Sequence, residues 1–153
     1  KAMRNPVFDW LLANRRVRYG GTIFPREDGL RPIIRATRTG DALMYLAAAD
    51  LGSDRSIFVP LFGLQKATIP VLGRLTKFCK ATVLPWIFCY DKLLKKYKTT
   101  LLPPIENMTG DDENDSLAMN QAIEKTIAVC PPQYFWSFRL FQTRPPGESS
   151  VYE

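Results

Sequence analysis

Apolar residues fall along this chain in short blocks, each closed by proline, glycine or a cluster of charges. The first block reads as a helix. Asn5-Pro6 offers an N-cap followed by proline at the first helical position. Phe8, Leu11 and Leu12 supply an apolar side with Trp10 beside them. Arg15, Arg16 and Arg18 load the last turn, where cations complement the helix dipole, and Gly20-Gly21 ends it. Residues 22–24 read as a short strand closed by Pro25. A second helix is predicted over residues 30–39, with Leu30, Ile33, Ile34 and Thr37 on one side, Pro32 in the first turn and Gly40 as the stop. Residues 42–47 form a compact apolar run that reads as a buried strand leading into a polar loop, 50–55. Residues 56–59 suggest another short strand before Pro60. Val71, Leu72, Leu75, Phe78 and Cys79 then recur at helical spacing, predicting a helix over about 68–80. A strand over 82–90 follows, with Pro85 implying a bulge or an edge position. Residues 92–96 turn the chain into 97–102, which pairs back as a hairpin. Pro103-Pro104 and the acidic stretch 111–115 read as a surface loop. A long helix covers 116–129, with Leu117, Asn120, Ile123 and Ile127 on one side, and Pro131-Pro132 stops it. Tyr134 and Trp136 just beyond are expected to pin the C-terminal segment. Helices alternating with strands predict an α/β fold, a layered central sheet flanked by helices.

Composition narrows the class. With 46% hydrophobic and 24% charged residues the chain is neither disordered nor collagen-like. Twelve prolines and nine glycines exclude a long coiled coil. The longest apolar stretch, residues 81–90, is about half of a membrane-spanning helix. No signal peptide opens the sequence, and its abrupt start reads as cut. The three cysteines, Cys79, Cys89 and Cys130, are odd in number and embedded in apolar sequence. They read as buried reduced thiols, pointing to a cytosolic compartment. There is no histidine, which removes any histidine general base, histidine-bound zinc or Ser-His-Asp triad from these residues.

Charge is unevenly spread. Residues 1–80 carry 14 Lys/Arg against 6 Asp/Glu, a net of +8, whereas residues 81–153 carry 7 against 9, a net of −2. The positive half should meet an anionic partner. Arg15, Arg16 and Arg18 before the Gly20-Gly21 turn, with Arg26 beyond it, form a candidate phosphate or carboxylate cradle; on local evidence alone they read more simply as a solvated helix end. Arg31, Arg35 and Arg38 share one helix face, most simply a solvent face. Asp50, just after an apolar run, stands either at a functional position or as an Asx turn before Gly52. Residues 58–63, with Phe58 and Phe62, are unusually apolar for a connection, and line a pocket or plug the core.

Several of these segments together resemble one family. Asp50-Leu51-Gly52, then Ser56 through Gly63, then Ala67-Thr68, follow the pattern of the late acyltransferases of lipid A biosynthesis, the lauroyl and myristoyl transferases. The end is more specific: Pro132-Gln133-Tyr134-Phe135-Trp136 resembles the family's P-x-Q-Y-x-W, and Phe141-Gln142-Thr143-Arg144-Pro145 its F-K-T-R-P. Asn5-Pro6 with Phe8-Asp9-Trp10 matches its middle region. The resemblance covers essentially the whole chain, but only the C-terminal half of such an enzyme. It implies a glycerolipid-acyltransferase-like α/β fold whose N-terminal part lies upstream, at the cytoplasmic face of the inner membrane of a Gram-negative bacterium. It implies transfer of a fatty acyl group from acyl carrier protein to a Kdo-bearing, phosphorylated lipid A precursor, with no cofactor or metal. The family's catalytic motif, His-x-x-x-x-Asp/Glu, has no counterpart in these residues and is expected upstream.

The expected substrate contacts are Arg15, Arg18 and Arg26, with Arg139 and Arg144 behind them. Asp50 is cast as an orienting group, and Phe58 and Phe62 as lining for an acyl chain. The chain also departs from the family. Ala47-Ala48-Ala49-Asp50 replaces Pro-Asp-x-Asp, Phe138-Arg139-Leu140 replaces His-Arg-Arg, and Gln142 replaces Lys. These departures suit a second reading, a degenerate homologue that binds lipid or carrier protein without catalysis. Nucleic acid is not an expected partner, because no helix-turn-helix, zinc finger or RNP-like aromatic motif is present.

Overall fold

A computed structural model describes residues 5–25, 28–106 and 108–152. The chain divides into two compact units, Lys1–Leu43 and Met44–Glu153.

In the first unit, helix α1 spans Pro6–Val17. Asn5 is its N-cap, the side chain accepting from the amides of Val7 at 3.0 Å and Phe8 at 3.4 Å. No residue of α1 is buried. Gly20, at φ +84°, provides the left-handed position that ends the segment. Residues 22–24 form no strand: three residues closed by proline offer too few ladder bonds to hold one. Helix α2 runs over Arg31–Arg38 with proline in its first turn. The hydroxyl of Thr39 closes it on the Ala36 carbonyl at 2.8 Å. Arg31, Arg35 and Arg38 are exposed, as a solvent face requires.

The second unit begins with a correction. The run at 42–47 forms no strand, and Met44 and Leu46 lie open to solvent. Alanine-rich sequence is a poor strand former, and no ladder partner is present among the described residues. Residues 58–63 are not a connection either. Strand β1, Ile57–Leu61, and strand β2, Leu64–Thr68, form an antiparallel hairpin. Its two-residue turn, Phe62-Gly63, has positive φ at both positions, 51° and 77°, the twist-matched geometry for such loops. Because β2 claims Thr68, helix α3 starts only at Leu72 and ends at Cys79. Phe78, expected on its apolar side, is mostly exposed.

Strand β3, Trp86–Asp91, and strand β4, Lys96–Leu101, form the second hairpin as expected. The two hairpins remain separate two-stranded sheets, so the expected central sheet is absent among the described residues. The architecture is mixed α/β. Helix α4, Asp112–Val129, starts earlier than its apolar spacing indicated. The acidic stretch is its first turn, capped by Asp111, which accepts from the Asn114 amide at 2.8 Å, where carboxylates meet the helix dipole favourably.

The core packs Val59, Leu61 and Ala67 of the first hairpin against Leu72, Leu75 and Cys79 of α3 and Met119 and Ile127 of α4. Helices α3 and α4 meet at Gly73, where a methyl group would overlap the Asp115 carboxylate. That buried carboxylate accepts from the amides of Thr109 at 2.8 Å and Gly110 at 2.7 Å.

The cysteine reading is also corrected. Cys89 on β3 and Cys130 at the end of α4 form a disulfide, with Cα atoms 6.4 Å apart, and only Cys79 is free and buried. A 3-10 turn, Pro131–Gln133, stops α4. Trp136 beyond it is 56% exposed rather than buried. It is held at its edges, with Nε1 donating to the Pro131 carbonyl at 2.8 Å and its ring 5.0 Å from that of Tyr134. Leu140 instead anchors the tail in the core. No helix among the described residues is long and apolar enough to cross a membrane.

Candidate functional site

The densest polar constellation lies in the second unit, where the loop before β1, strand β2 and the C-terminal segment meet. Asp50 is held by three donors: the Gly52 amide at 3.1 Å, the Thr143 amide at 2.7 Å and the Thr143 hydroxyl at 2.8 Å. The first bond is the Asx turn that the local sequence allowed. The other two join positions 93 residues apart. Partial burial by itself raises its carboxyl pKa. The amide and hydroxyl of Thr143, the Gly52 amide and the positive charge of Lys66 outweigh that, and the group titrates below its ordinary value.

Lys66 comes from β2 and is fully buried. Its Nζ donates to the Ala67 carbonyl at 3.0 Å. Burial pulls its pKa below the ordinary lysine value, and Asp50 opposes that pull. Beside it, Arg144 leaves only 10% of its side chain exposed. Its Nη1 donates to the Gln65 carbonyl at 2.6 Å, and its Nη2 pairs with the Glu148 carboxylate. Arg144 Nε and Gln65 Oε1 are buried without a partner among the described residues. From the other side, Asn120 of α4 donates to the Pro60 carbonyl at 3.0 Å and to the Thr68 hydroxyl at 3.2 Å.

This arrangement fixes a guanidinium and an ammonium group in a partly dehydrated setting. Three of the roughly four acceptor sites of the Asp50 carboxylate are taken up by donors, two on Oδ1 and one on Oδ2.

The other expected residues are distributed as follows. Arg139 lies outside the constellation, exposed, with its guanidinium carbon 5.6 Å from the Tyr152 ring centroid. Phe58 is half-buried in β1 opposite Ala67. Phe62 sits at the hairpin turn, 45% exposed, with its ring 6.4 Å from that of Trp136 and its amide donating to Glu124 at 2.5 Å. The core plug in that segment is supplied by Val59 and Leu61. Arg15 and Arg18 belong to the first unit. They are exposed at the end of α1 and line a shallow concavity with Trp10, Leu11, Asn14 and Val17. Arg26 lies outside the described residues.

Sequence reasoning missed Lys66, Asn120, Thr143 and Glu148 as site residues. Two signals were available: Asn120 interrupts an otherwise apolar helix side, and Thr143 stands inside the T-R-P motif.

Comparison with known proteins gives the same direction as the motifs. Residues 1–143 match the family described as bacterial lipid A biosynthesis acyltransferase. A lipid A biosynthesis acyltransferase of Haemophilus influenzae is 38% identical over 95% of this chain and 45% of its own length. A lipid A biosynthesis myristoyltransferase of Escherichia coli is 37% identical over 97% of this chain and 46% of its own length. A lauroyltransferase from the same species is 35% identical over 97% of the chain and 49% of its own length. The chain spans about half the length of the curated relatives it matches. The match to the family takes in residues of both units, Asp50 and Thr143 among them, and the chain therefore belongs to the bacterial lipid A biosynthesis acyltransferases.

Proposed function

We propose that this chain is the C-terminal portion of an acyltransferase domain that moves a fatty acyl group from acyl carrier protein to a Kdo-bearing, phosphorylated lipid A precursor. It works at the cytoplasmic face of the inner membrane of a Gram-negative bacterium. The observation that carries the reading is the family match over residues 1–143. The relatives named above are called acyltransferases, which weighs against a binder without catalysis.

The geometry supports a division of labour. Arg144, oriented through Thr143 by Asp50, contributes fixed positive charge on the acceptor side. Arg139, with Arg15 and Arg18 at the end of α1, adds exposed positive charge for the phosphates or the acidic carrier protein, and Arg26 is assigned to the same role. Phe58 and Phe62 offer apolar surface to the acyl chain. The acceptor hydroxyl needs a general base, and with no histidine in these residues, that base comes from outside them.

The test is a transfer assay in the full-length protein, with laurate- or myristate-loaded carrier protein and the phosphorylated precursor. Acylated precursor is the expected product. Arg144→Gln should raise KM for the acceptor by ~10-fold or more, the scale of one lost charge-assisted contact. Absence of product with either donor would overturn the reading.

A further inference from the structure

The β3–β4 hairpin has a face that the acyl-transfer reading does not use. Alternation puts Trp86, Phe88 and Tyr90 on one side of β3, and the register sets Leu101 beside Trp86 and Tyr97 beside Tyr90. All five are exposed. The rings cluster, with centroids 4.4 Å apart for Trp86 and Phe88 and 5.2 Å for Tyr90 and Tyr97. The opposite face carries Ile87 and Cys89, both half-buried, and Cys89 is bonded to Cys130. Gln133 covers the free edge of β3, accepting from the Tyr90 amide at 2.7 Å and donating to the Tyr90 carbonyl at 2.9 Å. The hairpin is thus held by its back and one edge, while its aromatic front stays open.

The tip is more unusual. Asp91 Oδ1 accepts from the amides of Leu93 at 2.9 Å and Leu94 at 3.0 Å, and Lys95 takes the left-handed position at φ 50°. Those two residues build the turn. Leu93 and Leu94 at its apex are 94% and 69% exposed, in a place where polar turn formers are the rule. Neither turn chemistry nor core packing calls for them. Lys92 and Lys95 flank them in the turn, and Lys96 and Lys98 follow on the β4 face opposite the aromatic front, all exposed, beside the carboxylate of Asp91, which is engaged in the turn.

We infer that this hairpin seats the protein on an anionic lipid bilayer. Leu93 and Leu94 enter the acyl boundary. The aromatic front lies at headgroup level, where Trp and Tyr partition well. Lys92 and Lys95 at the turn, and Lys96 and Lys98 from the other face of the hairpin, reach lipid phosphates with their flexible stems. Charge complementarity selects a bilayer over a protein cover: packing this tip against protein would require a partner for each of four ammonium groups, whereas anionic headgroups supply them while leaving each lysine hydrated. The inference deepens the membrane-surface part of the proposed function and does not depend on acyl transfer.

The experiment places an environment-sensitive fluorophore at the tip through Leu93→Cys. The native thiols do not compete, since one is buried and two are bonded to each other. A blue shift and quenching by a spin-labelled lipid are expected with phosphatidylcholine vesicles containing phosphatidylglycerol, and neither with phosphatidylcholine alone. High salt should reverse both. The same label at Asp54→Cys, in an exposed loop of the same unit, should stay in water. In the wild-type background, Leu94→Asn should lower vesicle partition by ~10-fold, and each of Lys95→Gln and Lys96→Gln by ~5-fold. All three sites are exposed, so the fold should survive, which circular dichroism checks.

A tip probe that stays in water while the protein co-sediments with vesicles overturns the proposal, as does failure to bind them. A blue shift already present without lipid also overturns it, because protein then covers the tip. Transfer activity with the probe in water sinks the hairpin inference alone, and probe insertion without transfer sinks only the acyl-transfer reading.

Discussion

Lys66 and Asp50 show how one strand position and one loop position set the chemistry of the site. Lys66 is fully buried with one carbonyl partner, so its charge is poorly compensated, and its folded pKa lies below the ordinary value of 10.5 because of burial. The unfolded chain therefore holds more protons in the window just below 10.5, and stability must rise with pH through that window. Lys66→Met should remove this rise and stabilise the protein at neutral pH, since an apolar side chain of similar length needs no partner there; urea unfolding at neutral and alkaline pH checks both. Asp50 behaves oppositely in acid. Its lowered pKa contributes stability above the ordinary value of 3.8, and that stability is lost as pH falls through the folded value. Asp50→Asn sets an NH₂ group against fixed donors and should cost about 1–3 kcal/mol at neutral pH while flattening the acid limb. Such residues are hard to read in sequence. Lysine is almost always exposed, so nothing in Leu64-Gln65-Lys66-Ala67-Thr68 announces a buried ammonium group. The partner of Asp50 lies 93 residues away, and only the family motif at Thr143-Arg144 hinted at it.

At the scale of elements, what was legible followed from local signals. Helices α1 and α2 and the β3–β4 hairpin carried caps, breakers or alternation within their own residues, and they form close to where those signals put them. Strand β2 did not, because its turn is Phe62-Gly63 rather than an Asn-Gly or Asp-Gly pair. The start of α4 was hidden because its first turn is acidic and reads as loop. Asp111→Ala should cost about 1 kcal/mol through loss of the cap, measurable as a shift in denaturant midpoint with unchanged slope. The helix junction gives a sharper case. Gly73→Ala would push a methyl group into the Asp115 carboxylate, which is itself buried and holding two amides. A loss of about 1–3 kcal/mol is expected, and a neutral result would show that the α3–α4 contact relaxes freely. The disulfide ties β3 to the end of α4 across a separation of 41 residues. Cys130→Ser should lower stability by about 2–4 kcal/mol, and its melting curve should no longer respond to reductant, unlike that of the parent chain. Spacing alone could not reveal that pair, because only the packing of the hairpin against α4 brings the two cysteines together.

For the whole molecule, the decisive quantity is what these 153 residues contain and what acyl transfer demands. The chain spans about half the length of its curated relatives, and it contains no histidine. An acceptor hydroxyl is a poor nucleophile at neutral pH and needs a positioned base. Among the described residues, the carboxylates of the constellation are Asp50 and Glu148. Asp50 is committed to three donors and held below its ordinary pKa, while Glu148 is paired with Arg144. Asp50 is therefore a weak base, and Glu148 is engaged by a guanidinium rather than free to face an acceptor hydroxyl. Absence of a general base typically costs ~10²–10⁴-fold in rate, and incomplete positioning of the two substrates can cost as much again. The isolated chain should therefore give no acylated product from laurate- or myristate-loaded carrier protein and a lipid A precursor. Product should appear when a segment bearing His-x-x-x-x-Asp/Glu is supplied in the same polypeptide, and replacing its histidine with alanine should remove it. Turnover by the 153-residue chain above the uncatalysed background would refute this and place the base among its own carboxylates. Asp54→Asn would then be the first substitution to make, since Asp54 is exposed in the loop that follows Asp50 and its carboxylate accepts from the Ser53 hydroxyl at 3.4 Å.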